Sequence, residues 1–296
     1  VEGLREELLE IVRGIRMQLI YHYRLGAFVY GLDTMEELLN EESRREKIER
    51  ASVQPTGVAA EGREKRYIER GLFEPAERDQ GDLIKTKGGA RRLSIEEKRS
   101  LMGELIKEIG SDCKRCRLGE LVRSRVVFGE GNLNARIMFI GEGPGEEEDV
   151  QGLPFVGRAG QLLTRIIKAM GLERQDVYIA NVVKCRPPEN RTPLADEMDI
   201  CGQFLKRQIS IILPEVIIAL GGTAASFLLG DYKIKIGQVR GRRLEYVDGN
   251  IAIPLVATFH PSYVLRRGES PDVKREVWND IKIAMDIIGL EVKRQV

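Results

Sequence analysis

The sequence predicts an α/β fold, a three-layer α/β/α sandwich around a central, mostly parallel four-stranded sheet. Two observations predict it. Short apolar runs rich in β-branched residues stand at 136–140, 177–183, 215–220 and 253–259, and each is followed by a helix-like or glycine-bearing segment. These runs are apolar almost throughout rather than alternating, so they read as strands buried on both faces, which a parallel sheet covered by helices provides.

Taken in order, the chain first shows Leu4, Leu8, Ile11, Val12, Ile15 and Leu19 at three- and four-residue spacings, the stripe of an amphipathic helix within a helical segment 1–40. Residues 41–93 are dominated by charge, Gly, Pro and Gln. They read as a solvated, disordered linker that cannot bury enough apolar surface to offset its ordering entropy. The main domain is expected over 94–290. Ser94 and Glu97 have the spacing of a capping box, so a helix starts there and ends at Gly110. Further helices are expected at about 160–170, 194–213, 223–229 and 271–288. Residues 232–250 break the alternation with a predicted hairpin, turning at Asp248-Gly249 or Gly249-Asn250.

Composition narrows the function. The net charge of +1 exerts no bulk pull on nucleic acid, so any DNA binding must rest on a local basic patch. No run of 18 or more apolar residues offers a membrane span, and no secretory pattern is visible, so a cytoplasmic protein is expected. Four cysteines without such a signal argue for metal ligation over a disulfide framework. Cys113-x-x-Cys116, Cys185 and Cys201 can hold either a zinc ion or an iron-sulfur cluster on four thiolates, and spacing alone does not choose.

Ligands of such sheets sit at the carboxyl ends of the strands. The first strand runs into the glycine-rich stretch Gly141-Glu142-Gly143-Pro144-Gly145, which matches neither the dinucleotide fingerprint nor the phosphate loop. It delivers Glu142 and Gly143, the second strand delivers Asn181, and the fourth delivers His260-Pro261-Ser262. These loops are expected to converge on one site. Asn181 lies among apolar neighbours, so its amide must find partners in the backbone or in a ligand. Phe155, in a second glycine-rich loop, is a candidate stacking surface. Glu148 and Asp149 are weaker candidates, because an acidic run reads as a solvated loop. Ser262, Arg266, Arg267, Lys184 and Arg186 are candidate phosphate contacts around the mouth.

Four long motifs stand in an order that resembles the family 4 (type a) uracil-DNA glycosylases: Gly-Glu-Gly-Pro-Gly, Pro-Phe-Val-Gly-Arg-Ala-Gly-Gln, Tyr-Ile-Ala-Asn-Val-Val-Lys-Cys-Arg-Pro-Pro and His-Pro-Ser-Tyr-Val-Leu-Arg. The resemblance covers about 94–289. It implies a monofunctional enzyme that removes uracil from single- or double-stranded DNA, acting on a base flipped out of the stack. By the same resemblance, Phe155 stacks on the flipped ring, Asn181 reads its N3–H and O4 edge, and His260 donates to O2. Glu142 then orients water or steadies the cationic sugar. Gly143 stands where relatives outside the family place an aspartate, and a side chain there is expected to intrude on the base or the water. Leu265 is the candidate wedge into the duplex. The four cysteines match the ligands of a [4Fe-4S] cluster, expected to act structurally. A monomer is expected, and 1–93 reads either as a docking arm for a repair or replication partner or as a passive appendage. Two alternatives remain: a cluster-bearing relative acting on another base or trapping DNA covalently, and a non-catalytic DNA-binding module. The basic insertion expected of the covalent-trapping relatives is missing near His260.

Overall fold

The computed structural model describes residues 93–121 and 123–291. The expected helix within 1–40 and all of the 41–93 linker but its last residue lie outside the described residues.

The chain enters through helix α1 (Ile95–Ile109), whose start follows from its first residues. Glu97 N–H donates to Ser94 Oγ at 3.2 Å, and Ser94 N–H donates to Glu97 Oε2 at 2.7 Å. Gly110 closes the helix with φ 67°. Lys98 Nζ then donates to the carbonyls of Leu133 and Ile212, tying α1 to two later segments.

Six strands follow: β1 (Glu130–Gly131), β2 (Ile137–Gly141), β3 (Tyr178–Asn181), β4 (Val216–Leu220), β5 (Arg243–Asp248) and β6 (Ile251–Thr258). They lie in the order β1-β3-β2-β4-β6-β5. The four expected strands form the parallel centre, β3-β2-β4-β6. Two antiparallel edge strands, β1 beside β3 and β5 beside β6, make the sheet six-stranded rather than four-stranded. Neither edge carries the signal of a buried strand. β1 is two residues long, and β5 buries only Tyr246. The predicted hairpin is therefore made differently. Its second arm is β6 itself, turning at Gly249-Asn250 with Gly249 at φ 56°, while Ile236–Val239 coils into a short helix.

Helices cover both faces because the central strands are apolar on both. Met138 and Ile140 of β2 pack into one core, with Leu105 of α1 and Leu205 and Ile209 of the helix Ala195–Ile212. Ile137 and Phe139 pack into the other, with Leu163 and Ile167 of the helix Arg158–Ala169 and Ile281 of the helix Pro271–Ile287. In chain order the helices after α1 are α2 (Glu146–Gln151), α3 (Arg158–Ala169), α4 (Ala195–Ile212), α5 (Gly222–Leu229), α6 (Ile236–Val239), α7 (Pro261–Arg266) and α8 (Pro271–Ile287).

The acidic run departs from the sequence reading. Residues 146–151 are helical rather than a solvated loop, with Glu148 and Asp149 buried. Asp149 accepts the amide of Ser124 at 2.8 and 2.9 Å, and Glu148 accepts those of Gly145, Val156 and Gly157. Carboxylates in a first helical turn also meet the positive end of the helix dipole. Both residues hold loops together rather than face solvent.

Because the Ser94 cap lies at an exposed helix start, Ser94→Ala is expected to cost about 1 kcal/mol and Ser94→Gly only a few tenths. Hydrogen exchange of the first-turn amides of α1 measures this; equal protection in wild type and Ser94→Ala would contradict the cap.

Candidate active site

The sheet register brings the site together. Gly141, ending β2, pairs with Asn181, ending β3. Two residues beyond β6, His260 caps the start of α7. Asn181 is 1% exposed, and its Oδ1 is a buried acceptor with no hydrogen-bond partner. An orphan of this kind is rare enough in a folded protein to need an explanation.

Gly141 explains how Asn181 and Phe155 come so close. A methyl group built there would stand 2.4 Å from Asn181 Oδ1 and 2.4 Å from Phe155 Cζ. Phe155 is buried, and its ring centroid lies 5.6 Å from that of His260 with the planes tilted by 36°. Its backbone has φ 52°, which for a bulky residue costs of order 1–3 kcal/mol and persists only where neighbours enforce it.

The hydrogen bonds of His260 fix its tautomer. Nδ1 accepts the backbone N–H of Ser262 at 3.1 Å and lies 2.8 Å from Ser262 Oγ. Nδ1 thus carries the lone pair, so the ring proton of the neutral imidazole sits on Nε2. Burial, aided by the Arg266 charge, lowers the imidazole pKa from 6.5 to about 4. The site therefore holds a neutral N–H donor.

Glu142 directly follows β2, with Oε2 accepting the Thr223 hydroxyl at 2.5 Å. Burial raises its pKa, while hydrogen bonds from Thr223 and Thr192 and the charge of Arg266 pull it back. Thr223 was not anticipated, although Gly221-Gly222-Thr223 follows β4 just as the other site residues follow their strands. The same rule, applied to all four strand ends, finds it.

The remaining candidates divide. A Cβ on Gly143 would press first on Val183 Cγ2, at 2.8 Å, so the crowding it avoids is with the loop after β3. Ser262 is engaged at His260, and it accepts Arg266 Nη1 at 3.2 Å. Arg266 and Arg267 are exposed, and Leu265 is partly buried against the core. Arg186 donates to Asn190 Oδ1. Lys184 is no phosphate contact. It is 0% exposed, with Nζ donating to Asn181 O at 2.9 Å and to Gln208 Oε1 at 2.7 Å.

Behind β3 the four cysteines come together. Cys185 and Cys201 are buried and Cys113 and Cys116 half-buried, all unpaired thiols. The thiol of Cys185 interacts electrostatically with the other three. Burial, foremost, pushes Cys185 up to about 12 and Cys201 to about 11. The Lys184 amide donates to Cys201 Sγ at 3.2 Å, which offsets part of the burial effect on that thiol, and Arg115 Nη1 donates to Cys113 Sγ at 3.6 Å. Among the described residues, no three His, Cys, Asp or Glu side chains close on a single metal ion.

The Uracil DNA glycosylase superfamily matches residues 128–282. A type-4 uracil-DNA glycosylase of Thermotoga maritima is 52% identical over 188 residues, 64% of this chain and 95% of that protein. The chain belongs to the type-4 uracil-DNA glycosylases. Another type-4 glycosylase, from Archaeoglobus fulgidus, is 40% identical over 191 residues, 64% of this chain and 94% of the relative. A type-5 glycosylase of Pyrobaculum aerophilum is 31% identical over 147 residues, 45% of this chain and 63% of the relative. Among the described residues of this type-4 glycosylase no helix is long and apolar enough to cross a membrane.

A lowered histidine pKa has a signed consequence. Between pH 6.5 and about 4 the unfolded chain binds a proton that folded His260 does not, so this contribution to stability is full above pH 6.5 and is lost on acidification toward 4. The chain has two histidines, which makes the test direct. The imidazole resonance that disappears in His260→Gln is expected not to titrate between pH 8 and 5; a midpoint near 6.5 would contradict a buried neutral ring.

Proposed function

We propose that this glycosylase hydrolyses the N-glycosidic bond of deoxyuridine in DNA, releasing uracil and leaving an abasic site. The observation that carries the reading is the orphaned Oδ1 of Asn181 beside the ring of Phe155. That acceptor suits the N3–H of a uracil stacked on Phe155, and the amide nitrogen then donates to O4. Cytosine offers an acceptor at N3 and a donor at the exocyclic N4, so it leaves both groups of Asn181 unpaired, which is the strong form of substrate rejection.

As the bond between N1 and C1′ breaks, its electron pair leaves with the base and negative charge gathers on O2. His260 Nε2–H donates to that oxygen. A neutral imidazole suits this, because it stabilises the anion without first having to take up a proton at neutral pH. The sugar becomes cationic and takes water at C1′. Glu142, held by Thr223, orients that water. Its raised pKa makes the carboxylate a better acceptor for the water proton than an ordinary surface glutamate.

The DNA reaches the site with its base flipped, and unstacking is cheapest in single strands or mispairs. Leu265 fills the gap in a duplex, and Arg266 and Arg267 contact the flanking phosphates. Ser262 holds His260 through both its backbone amide and its hydroxyl, and so keeps Nε2–H turned to the base. Gly143 keeps the loop beside the base compact.

Cys113, Cys116, Cys185 and Cys201 would hold a [4Fe-4S] cluster. Four unpaired thiols that interact electrostatically, two of them receiving N–H donors, suit a metal-thiolate centre, and membership of the type-4 family favours the cluster over zinc. When bound, the cluster supplies metal-thiolate bonds joining the segment after α1 to β3's loop and to α4.

End-labelled oligonucleotides containing U:G, U:A or single-stranded uracil, incubated anaerobically with the protein, are expected to break only after alkali. His260→Ala is expected to slow this about 10²–10³-fold with the fold intact. Absence of product from every uracil substrate would overturn the proposal, and unchanged turnover in His260→Ala would remove that residue from the mechanism.

A further inference from the structure

Phe155 cannot hold its position unaided, because a bulky residue at φ 52° relaxes unless its neighbours prevent it. The structure shows what prevents it. On the carboxyl side of the ring-bearing residue, Glu148 Oε1 accepts the amides of Val156 and Gly157, each at 2.9 Å. On the amino side, Arg174 Nη2 donates to the carbonyl of Pro154. Arg174 is itself anchored. Its Nε donates to Glu130 Oε1 at 2.7 Å, in an ion pair whose side chains are 24% and 18% exposed, and its Nη1 stands 3.5 Å from Thr164 Oγ1. Beneath the loop, α3 leaves no slack: a Cβ on Gly160 would lie 1.8 Å from the Phe155 carbonyl oxygen.

We infer that Arg174, held by Glu130, is a positioning residue for uracil excision that sets the stacking face of Phe155 by fixing the carbonyl before it. Arg174 belongs to the 3-10 turn Arg174–Asp176, just ahead of β3, and Glu130 to edge strand β1. Neither lies at the carboxyl ends where the reacting groups meet, so their contribution passes through the backbone of the 154–157 loop. The guanidinium suits the task because its planar fork donates to a carboxylate and a carbonyl at once. Lysine has no such fork. Glu130 is one of the two residues of β1, so the pairing of that edge strand with β3 fixes where the carboxylate that aims Arg174 stands.

This inference rests on the reading of Phe155 as the surface on which the flipped base stacks, and the experiment separates the two. Arg174→Ala, Phe155→Ala and the double variant are compared for kcat/KM on uracil-containing DNA and for inhibition by free uracil. Arg174→Ala is expected to lower kcat/KM and weaken uracil inhibition about tenfold in the wild-type background, and to cost almost nothing further when Phe155 is already alanine, since groups acting through one another couple strongly. A merely structural residue would instead repeat its full effect in both backgrounds, and that result, or an Arg174→Ala enzyme with unchanged uracil inhibition, overturns the inference. Full activity in Phe155→Ala alone would overturn the stacking reading and the inference with it. Should Arg174→Ala fail to fold, Glu130→Gln loosens the anchor while keeping the guanidinium, and the same coupling to Phe155 is expected at smaller amplitude; independence from Phe155 in that variant overturns the inference equally.

Discussion

The structure turns on one carbonyl oxygen kept dry and unpaired. Asn181 Oδ1 is buried at the end of β3 without a hydrogen-bond partner, a cost the fold bears at a strand end where a ligand can relieve it. Everything near it is arranged to keep it so. Gly141 lets the ring of Phe155 come up beside it, the register of β2 on β3 sets the spacing, and Lys184 holds the main-chain carbonyl of Asn181 from within the core.

The electrostatics of the pocket follow from the same dryness. Burial pushes His260 toward its neutral form and Glu142 toward its protonated one, while Arg266 acts against protonation at both. On the proposed reading, an incoming base would meet a neutral donor and a carboxylate of heightened basicity. Such a site does its work through preorganised hydrogen bonds in a medium of low polarity, where each is stronger than in water. The cysteines are tied to the same strand end: Lys184 donates to the Asn181 main-chain carbonyl through Nζ and to Cys201 Sγ through its amide, so Asn181 and the cysteine cluster lean on one residue.

Much of this was legible in the sequence, for reasons particular residues make plain. The four central strands are continuous apolar runs, and the rule that ligands gather at strand ends leads directly to Glu142, Asn181 and His260. The helix at Ser94 was legible because its cap is local. What stayed hidden depends on contacts distant in sequence. β1 has two residues and no pattern, Thr223 matters only because it meets Glu142 across 81 positions, and Arg174 only because it reaches back to Glu130 and Pro154. Lys184 and Glu148 were misread for one reason: a charge in the sequence suggests solvent, and only the fold shows that each is buried among backbone partners.

The central claim is that Asn181 Oδ1 receives the N3–H of uracil, and it is tested most directly by removing that hydrogen from the substrate. Excision of N3-methyluracil should be compared with excision of uracil from the same single-stranded oligonucleotide, in which base pairing plays no part, and in both wild type and Asn181→Ala. The account predicts that methylation lowers kcat/KM by about 10²-fold or more in wild type, as expected when a buried polar group is left unpaired, and by far less in Asn181→Ala. Equal sensitivity to the methyl group in the two enzymes would contradict it, because the base would then be read by some other group.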